Sequence, residues 1–194
     1  MPKLIVFNSV SLDGYFTDAI GDMSWAHTQD PEWDEFVSGN ASGGGVLMFG
    51  RVTYDLMASF WPTPMAAKIA PVVAERMNSL PKVVFSRSLD KASWNNTKVV
   101  KGDIAAEVRK MKQEPGPGMV ILGSGSIVSQ LTEAGLIDEY QIVVHPIILG
   151  QGRTLFEGVT NKVRLNRTSS RAFANGNVVL CYQPVAQAVA PNAL

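Results

Sequence analysis

Short apolar runs alternate along the chain with segments in which apolar residues recur every three or four positions. The runs at 4–7, 46–49 and 119–122 are typical of buried strands, and 82–85 is predicted to be a further strand. Helical spacing follows in 104–111 and 127–134. This alternation of strand and helix patterns predicts an α/β fold, and the strand that begins at residue 3 is predicted to lie centrally in its sheet.

Several breaks in the pattern predict where elements start and stop. Asp30-Pro31 has the features of a helix start, with Trp33, Phe36 and Val37 on the buried face. Pro71 should interrupt the helical stretch that runs from 65 to 80. The glycine-rich segment 38–45 and the segment 151–153 are predicted to be a loop and a turn.

The C-terminal part has the pattern of an antiparallel pair. Segments 164–174 and 178–183 flank Asn175-Gly176-Asn177, which is a favourable hairpin turn. Segment 184–194 is small and alanine-rich, so it is predicted to be a flexible tail. The chain is therefore expected to form one domain over residues 1–183, followed by that tail.

Two strands are each predicted to turn into a helix at a glycine. The first turn is Gly50-Arg51-Val52-Thr53, and the second is Gly123-Ser124-Gly125-Ser126-Ile127. Free amides and the helix dipole make such turns suitable for phosphate, and glycines allow close approach to the backbone. The serines can also cap the helix. The alternative for each is an ordinary turn, with its glycines serving geometry alone and Arg51 in a surface salt bridge.

Other side chains are candidates for chemistry, each with a structural alternative. Ser86-Arg87-Ser88 follows a strand and suits an adenosine phosphate. Asp13 is a candidate acid or a turn former, while Asp34 and Glu35 are candidate proton donors or solvated partners of a helix dipole. Trp25 and Trp61 are expected to line a pocket or to fill the core, and His27 is a candidate acid or base or a solvated surface histidine.

Charge and cysteine content exclude several classes. The 194 residues include 17 basic and 17 acidic side chains, which argues against broad binding to nucleic acid or to anionic membranes. The single cysteine, Cys181, indicates a reducing, cytoplasmic setting. No signal peptide, membrane-spanning run or metal-binding motif is expected from the sequence.

Four motifs together resemble the dihydrofolate reductase-like superfamily, and in particular stand-alone relatives of the reductase half of the riboflavin-biosynthesis deaminase-reductase. They span nearly the whole chain, from about residue 3 to residue 183. The motifs are Ser11-Leu12-Asp13-Gly14 with Trp25; Phe49-Gly50-Arg51-Val52-Thr53-Tyr54 with Phe60-Trp61-Pro62; Leu122-Gly123-Ser124-Gly125; and Leu136-Ile137-Asp138-Glu139 with His145-Pro146-Ile147-Ile148-Leu149-Gly150-Gln151-Gly152-Arg153-Thr154-Leu155-Phe156.

The resemblance implies a three-layer α/β/α fold with a mixed, mostly parallel central sheet and an antiparallel C-terminal strand. It also implies NADPH as the cofactor and a homodimer. By the same resemblance the nicotinamide lies near Val10 and Trp25, the adenosine 2′-phosphate near Ser86 and Arg87, and the other phosphates on the two glycine turns. Trp25, Tyr54 and Trp61 are the residues expected to contact substrate.

The substrate half of the family pattern is absent. Leu122 stands where the pathway reductases have a glutamate, and Ala58-Ser59-Phe60-Trp61-Pro62 replaces a stretch that carries an acid and an arginine. The leading hypothesis is an NADPH-dependent reductase that passes a hydride to a small heterocyclic or sugar-derived substrate. One alternative is a non-catalytic protein that binds a nucleotide or small molecule on the same fold, and another is a riboflavin-pathway reductase that uses different contacts.

Overall fold

A computed structural model describes residues 1–28, 30–42 and 44–185. The strands are β1 (Leu4–Ser11), β2 (Tyr15–Asp18), β3 (Val46–Gly50), β4 (Lys82–Phe85), β5 (Thr97–Val100), β6 (Met119–Leu122), β7 (Glu139–His145), β8 (Gly152–Thr154), β9 (Leu165–Ala172) and β10 (Val178–Pro184). The α-helices are α1 (Pro31–Ser42), α2 (Arg51–Phe60), α3 (Pro64–Ile69), α4 (Pro71–Ser79), α5 (Ile104–Gln113) and α6 (Gly125–Glu133), and a short 3-10 helix covers Ser24–Ala26.

Eight strands form the main sheet in the order β5-β4-β3-β6-β1-β7-β10-β9. The first six run parallel, whereas β10 is antiparallel to β7, and β9 is antiparallel to β10. Strand β1 is central, as predicted. Helices cover both faces of the sheet, so the three-layer α/β/α prediction is confirmed. Because the six parallel strands point the same way, their carboxyl ends share one edge, where such sheets usually bind ligands.

Three apolar clusters hold the layers together. One joins β1, β6 and β7 to α5 and α6 around Val6, Val108 and Leu131. A second joins β3 and β4 to α2 and α4 around Phe49 and Tyr54. The third packs α1 on β7 and β10, with Trp33, Val143, Phe173 and Val179 as its buried members. Together the clusters fix α1 and α4 on one face and α5 and α6 on the other.

The predicted helix boundaries are confirmed at two places. Asp30 accepts a hydrogen bond from the Trp33 amide at 2.8 Å, so it caps α1 as expected. The helical stretch is interrupted at Ala70, and Pro71 is the first residue of α4, which directly follows α3. The predicted loop from Ser38 is wrong as far as Ser42, because α1 continues to that residue. Tertiary packing of α1 outweighs the low helix propensity of its glycine.

Two corrections concern the C-terminal half. The predicted turn at 151–153 is partly a strand, since β8 pairs with β2 in a separate two-stranded sheet. Gly152 makes this pairing possible, because a Cβ there would lie 2.0 Å from the Thr17 carbonyl oxygen. The predicted tail also starts too early: Pro184 ends β10, and the Val185 amide donates to the Arg164 carbonyl at 2.8 Å. The rest of that tail, 186–194, lies outside the described residues.

Candidate functional site

A cavity of about 700 Å³ lies along the edge formed by the carboxyl ends of β3, β4, β5 and β6. Ten of the eleven residues predicted to bind the cofactor line it, the exception being Val10. These ten are Gly50, Arg51, Thr53, Ser86, Arg87, Gly123, Ser124, Gly125, Ser126 and Ile127. The fold therefore brings together three segments that are more than 30 residues apart in the sequence.

Three helix N-termini line this cavity; Asp103 caps that of α5, and the other two have no side-chain cap. Helix α2 begins at Arg51 and α6 begins at Gly125, and neither Gly50 nor Ser124 provides a side-chain cap. The expectation that Ser124 caps α6 is therefore wrong. The amides of Ile127 and Val128 donate to the Ser124 carbonyl at 2.8 and 3.1 Å, so the amides that remain for a ligand at this helix start are those of Gly125 and Ser126. Two such helix starts give the cavity partial positive charge suited to phosphate groups.

Ser124 ties the two glycine turns together. Its hydroxyl accepts from the Gly50 amide at 2.9 Å and donates to the Leu122 carbonyl at 3.1 Å. Its own amide donates to Thr53 Oγ1 at 3.0 Å. Ser124 also holds a left-handed backbone conformation, with φ of 58°. The side chains of Ser124 and Thr53 thus fix the distance between the two helix starts.

The glycines of the second turn make room for protein atoms. A Cβ on Gly123 would lie 2.9 Å from Thr53 Cγ2, and its φ of +58° also favours glycine. A Cβ on Gly125 would lie 2.8 Å from Cζ of Phe16, which comes from β2. From the sequence, these glycines were predicted to let a ligand approach the backbone closely. The structure shows that they allow Thr53 of α2 and Phe16 of β2 to pack against the turn.

Basic side chains surround the cavity. Arg51 Nε lies 2.6 Å from Asp55 Oδ2, so the surface salt bridge that the sequence left open does form. Lys101 pairs with Asp90 at 2.7 Å, and Arg153 approaches Glu157 at 3.8 Å. All three pairs are exposed and contribute little to stability, so a bound phosphate can compete for these cations. Lys101 and Arg153 were missed by sequence reasoning, because no local motif places their side chains near the turns.

Ser86 and Arg87 lie at one end of the cavity, beside Lys101 and Gly102. Ser86 is buried, and its hydroxyl accepts from the Leu89 amide at 3.1 Å. That contact holds the turn after β4, whereas Arg87 is exposed. Arg87 is therefore the side chain of this pair that is available to a phosphate.

This architecture agrees with a known family. Residues 2–179 match the model of the RibD C-terminal domain. The chain belongs to that family. It is 27% identical over 182 residues to the uncharacterized protein YyaP of Bacillus subtilis (strain 168), which covers 93% of this chain and 94% of the relative. It is 26% identical over 172 residues to YwjB of the same strain, covering 88% and 92%.

Solved structures share the fold. A Shewanella sp. PV-4 protein assigned provisionally to riboflavin biosynthesis superposes with a TM-score of 0.74 at 24% identity, covering 94% of this chain and 99% of that one. The Thermotoga maritima diaminohydroxyphosphoribosylaminopyrimidine deaminase/5-amino-6-(5-phosphoribosylamino)uracil reductase gives 0.67 at 15% identity, covering 95% and 57%. A pyrimidine reductase-like protein of Corynebacterium diphtheriae gives 0.61 at 13%, covering 95% and 92%. At these identities the likeness establishes the RibD C-terminal fold alone.

The three predicted acids lie apart from this cavity. Asp13 accepts from Ser11 Oγ at 2.6 Å, Gly150 N at 2.7 Å and Leu149 N at 3.1 Å. The hydrogen bond from Ser11, followed by those from the two amides, holds the pKa of Asp13 below its ordinary value. An ionised, fully bonded carboxylate is a poor proton donor, so the turn-forming alternative describes Asp13. Asp34 is exposed on α1, and Glu35 lines a separate cavity beside Arg171.

The three aromatic residues that were predicted to contact substrate lie in different surroundings. Tyr54 is 1% exposed and its hydroxyl accepts from the Trp94 amide at 3.0 Å, so it is a core residue that does not reach the cavity. Trp61 Nε1 lies 3.1 Å from Met57 Sδ, and its ring packs on Phe60. Trp25 stands edge-on to His145, with ring centroids 5.5 Å apart. Of the three, Trp25 alone lies beside polar groups of the sheet edge.

Val10 lies near the carboxyl end of β1 and packs against the cluster of α5 and α6. Its predicted contact with nicotinamide stays a prediction. Among the described residues, no three His, Cys, Asp or Glu side chains lie close enough together to hold a metal ion. None of the helices described is both long enough and apolar enough to span a membrane.

Proposed function

We propose that this protein is an NADPH-dependent reductase that acts on a C=N or C=O bond of a small heterocyclic or sugar-derived molecule. The observation that carries the proposal is the meeting of two uncapped helix starts, those of α2 and α6, at one elongated cavity with cations along it. Membership of the RibD C-terminal family supports a reductase-like role. Two of the structural relatives, a deaminase/reductase and a pyrimidine reductase-like protein, are consistent with this proposal.

The chemistry of the cavity fits a dinucleotide phosphate. The first amides of α2 and α6, with Arg51, are suited to the pyrophosphate. Arg87 and Lys101, at the ends of β4 and β5, are suited to the adenosine 2′-phosphate, which favours NADPH over NADH. When bound, the cofactor supplies the hydride, while the chain's own residues bind it, orient it and exclude water.

The first test measures the binding of NADPH and of NADH, with intrinsic tryptophan fluorescence as the signal. Arg51→Ala should weaken NADPH binding about 10- to 100-fold, the range expected for loss of a charge-assisted hydrogen bond. Asp55→Ala is the matched control, since it breaks the same ion pair but keeps the guanidinium. Arg87→Ala should weaken NADPH more than NADH. Absence of binding of both nucleotides at millimolar concentration would refute the proposal.

We also propose a homodimer and a cytoplasmic location. All eight residues of β9 are exposed, and an edge strand with free backbone groups is a surface on which a second copy can pair. Light scattering on the protein as it elutes from a size-exclusion column gives the mass directly, and a monomer at micromolar concentration would contradict the dimer. The cytoplasmic location is inferred from the single, free cysteine.

A further inference from the structure

The cofactor cavity follows the order of the strands along the sheet edge. Its lining comes in turn from the ends of β5, β4, β3 and β6, where Val100, Phe85, Gly50 and Gly123 lie. The next two strands in the sheet are β1 and β7. A substrate that meets the end of the cofactor beyond the pyrophosphate is therefore expected at the carboxyl ends of β1 and β7.

A polar pair lies at that place. His145 Nε2 is 3.0 Å from Ser9 Oγ. His145 ends β7, two residues after Val143, and Ser9 pairs with Val143 across the strands. Since alternate residues share a face of the sheet, Ser9 and His145 both lie on the face covered by α1. Trp25 and Trp33 stand edge-on to the imidazole, with ring centroids at 5.5 and 6.3 Å.

His145 is 2% exposed, and the indole rings of Trp25 and Trp33 flank its imidazole. Burial, with a smaller contribution from the charge of His27, lowers the pKa of His145 below its ordinary value. A protonated imidazole at this place is therefore a stronger acid than in water. Ser9 is only half-buried, so the hydroxyl that contacts the imidazole belongs to a residue that solvent reaches. Trp25, carried by the short 3-10 helix, covers the imidazole from outside.

Reduction of a C=N or C=O bond needs a proton as well as a hydride, and the predicted acids do not supply it. Asp13 is held ionised by three donors. Glu35 faces another cavity, and Asp34 lies next to it on the exposed side of α1. The Ser9–His145 pair lies directly beyond the cofactor cavity in strand order, and unlike Asp13 it is not occupied by three hydrogen-bond donors.

We propose that Ser9 and His145 form the proton-donating end of the substrate site, with Trp25 as its cover. Ser9 touches the substrate and gives its hydroxyl proton to the nitrogen or oxygen of the reduced bond. It takes a proton in turn from Nε2 of protonated His145, which becomes neutral and is reprotonated from solvent. Ser9 is the catalytic residue, and His145 is the residue that acts through it. This inference rests on the proposed reductase function.

The test converts the pair into a thiol–imidazole pair, which needs no known substrate. Ser9→Cys is made in a Cys181→Ser background, so that the introduced thiol is the only one. Its alkylation by iodoacetamide at pH 7 forms a carbon–sulfur bond and releases iodide. A thiol beside an imidazole has a lowered pKa and reacts as thiolate. We expect alkylation at least about tenfold faster than after the further change His145→Gln. Saturating NADPH should slow it.

Ser126→Cys in the same background is the matched control. Ser126 is exposed on α6 and has no imidazole partner, so His145→Gln should leave its thiol reactivity unchanged. If His145→Gln does not fold, the pH profile of the Ser9→Cys variant replaces it. Reactivity should then titrate below the ordinary thiol pKa of about 8.5. A titration at or above that value would overturn the proposal.

The outcomes separate the two claims. NADPH that quenches tryptophan fluorescence without slowing alkylation at position 9 would refute the Ser9–His145 site and leave the reductase proposal standing. Equal alkylation rates with and without His145 would also refute it. Absence of NADPH binding would refute the cofactor instead, and the reactivity comparison would still decide whether the pair is coupled.

Discussion

Replacing Ser124 by alanine tests whether the two glycine turns depend on one hydroxyl. Ser124 is 6% exposed, and its Oγ is the acceptor for the buried amide of Gly50 at 2.9 Å. Alanine removes that acceptor while leaving the backbone in place. A buried amide without a partner costs about 1–3 kcal/mol. The donation to the Leu122 carbonyl is also lost, which adds to the cost in the same direction.

The assay is urea unfolding followed by tryptophan fluorescence. Ser124→Ala should lower the free energy of unfolding by about 1–3 kcal/mol with an unchanged slope. Ser126→Ala is the control, because Ser126 belongs to the same turn but is exposed, and such surface changes usually stay within about 0.5 kcal/mol. Ser124→Ala should also weaken NADPH binding, since it loosens the distance between the starts of α2 and α6.

A change of less than about 0.5 kcal/mol in Ser124→Ala, equal to that of Ser126→Ala, would refute this reasoning. It would mean that the Gly50 amide finds another acceptor, and that the two turns are held by the rest of the sheet. Thr53→Val offers an independent check on the second tie, since it removes the acceptor of the Ser124 amide at nearly constant side-chain size.

Three further predictions follow from the packing and hydrogen bonds of the site. Tyr54→Phe should lower the free energy of unfolding in urea by about 1–3 kcal/mol, because the buried Trp94 amide loses its acceptor. It should leave NADPH affinity unchanged, and weakened NADPH binding would instead assign Tyr54 to the cofactor site. Gly125→Ala should cost about 1–3 kcal/mol by overpacking against Phe16, and combination with Phe16→Leu should cost less than the sum of the two changes; strict additivity would contradict the contact. Asp13→Asn should be less stable than the natural chain at pH 7, and the deficit should shrink as the pH falls below about 3.9, because a carboxylate with a lowered pKa stabilises the fold fully above its unfolded pKa and loses that effect as pH falls through the folded pKa; a deficit that stays constant as the pH falls would exclude the charge as the cause.

Much of the fold could be predicted from local pattern. The buried strands β3 and β6 are short apolar runs, and β4 has such a run after Lys82; their shortness and their β-branched and aromatic residues indicate strands rather than helices. The cap at Asp30 and the break at Pro71 depend on local backbone chemistry, so they were predictable as well. Predictions failed where a long-range contact decided the outcome, as at Gly152, whose strand exists only because β2 lies against it.

In the candidate site, too, some features depend on local sequence and others on long-range contacts. The sequence alone determined which residues form the two glycine turns, because a buried strand followed by glycine and a helical pattern has little choice of local structure. Only the tertiary structure decided that Gly123 and Gly125 make room for Thr53 and Phe16, and that Tyr54 belongs to the core. It alone decided that Ser9 and His145, 136 residues apart, share one hydrogen bond. Strand order sets such neighbours, and strand order depends on the packing of the whole chain rather than on any local segment.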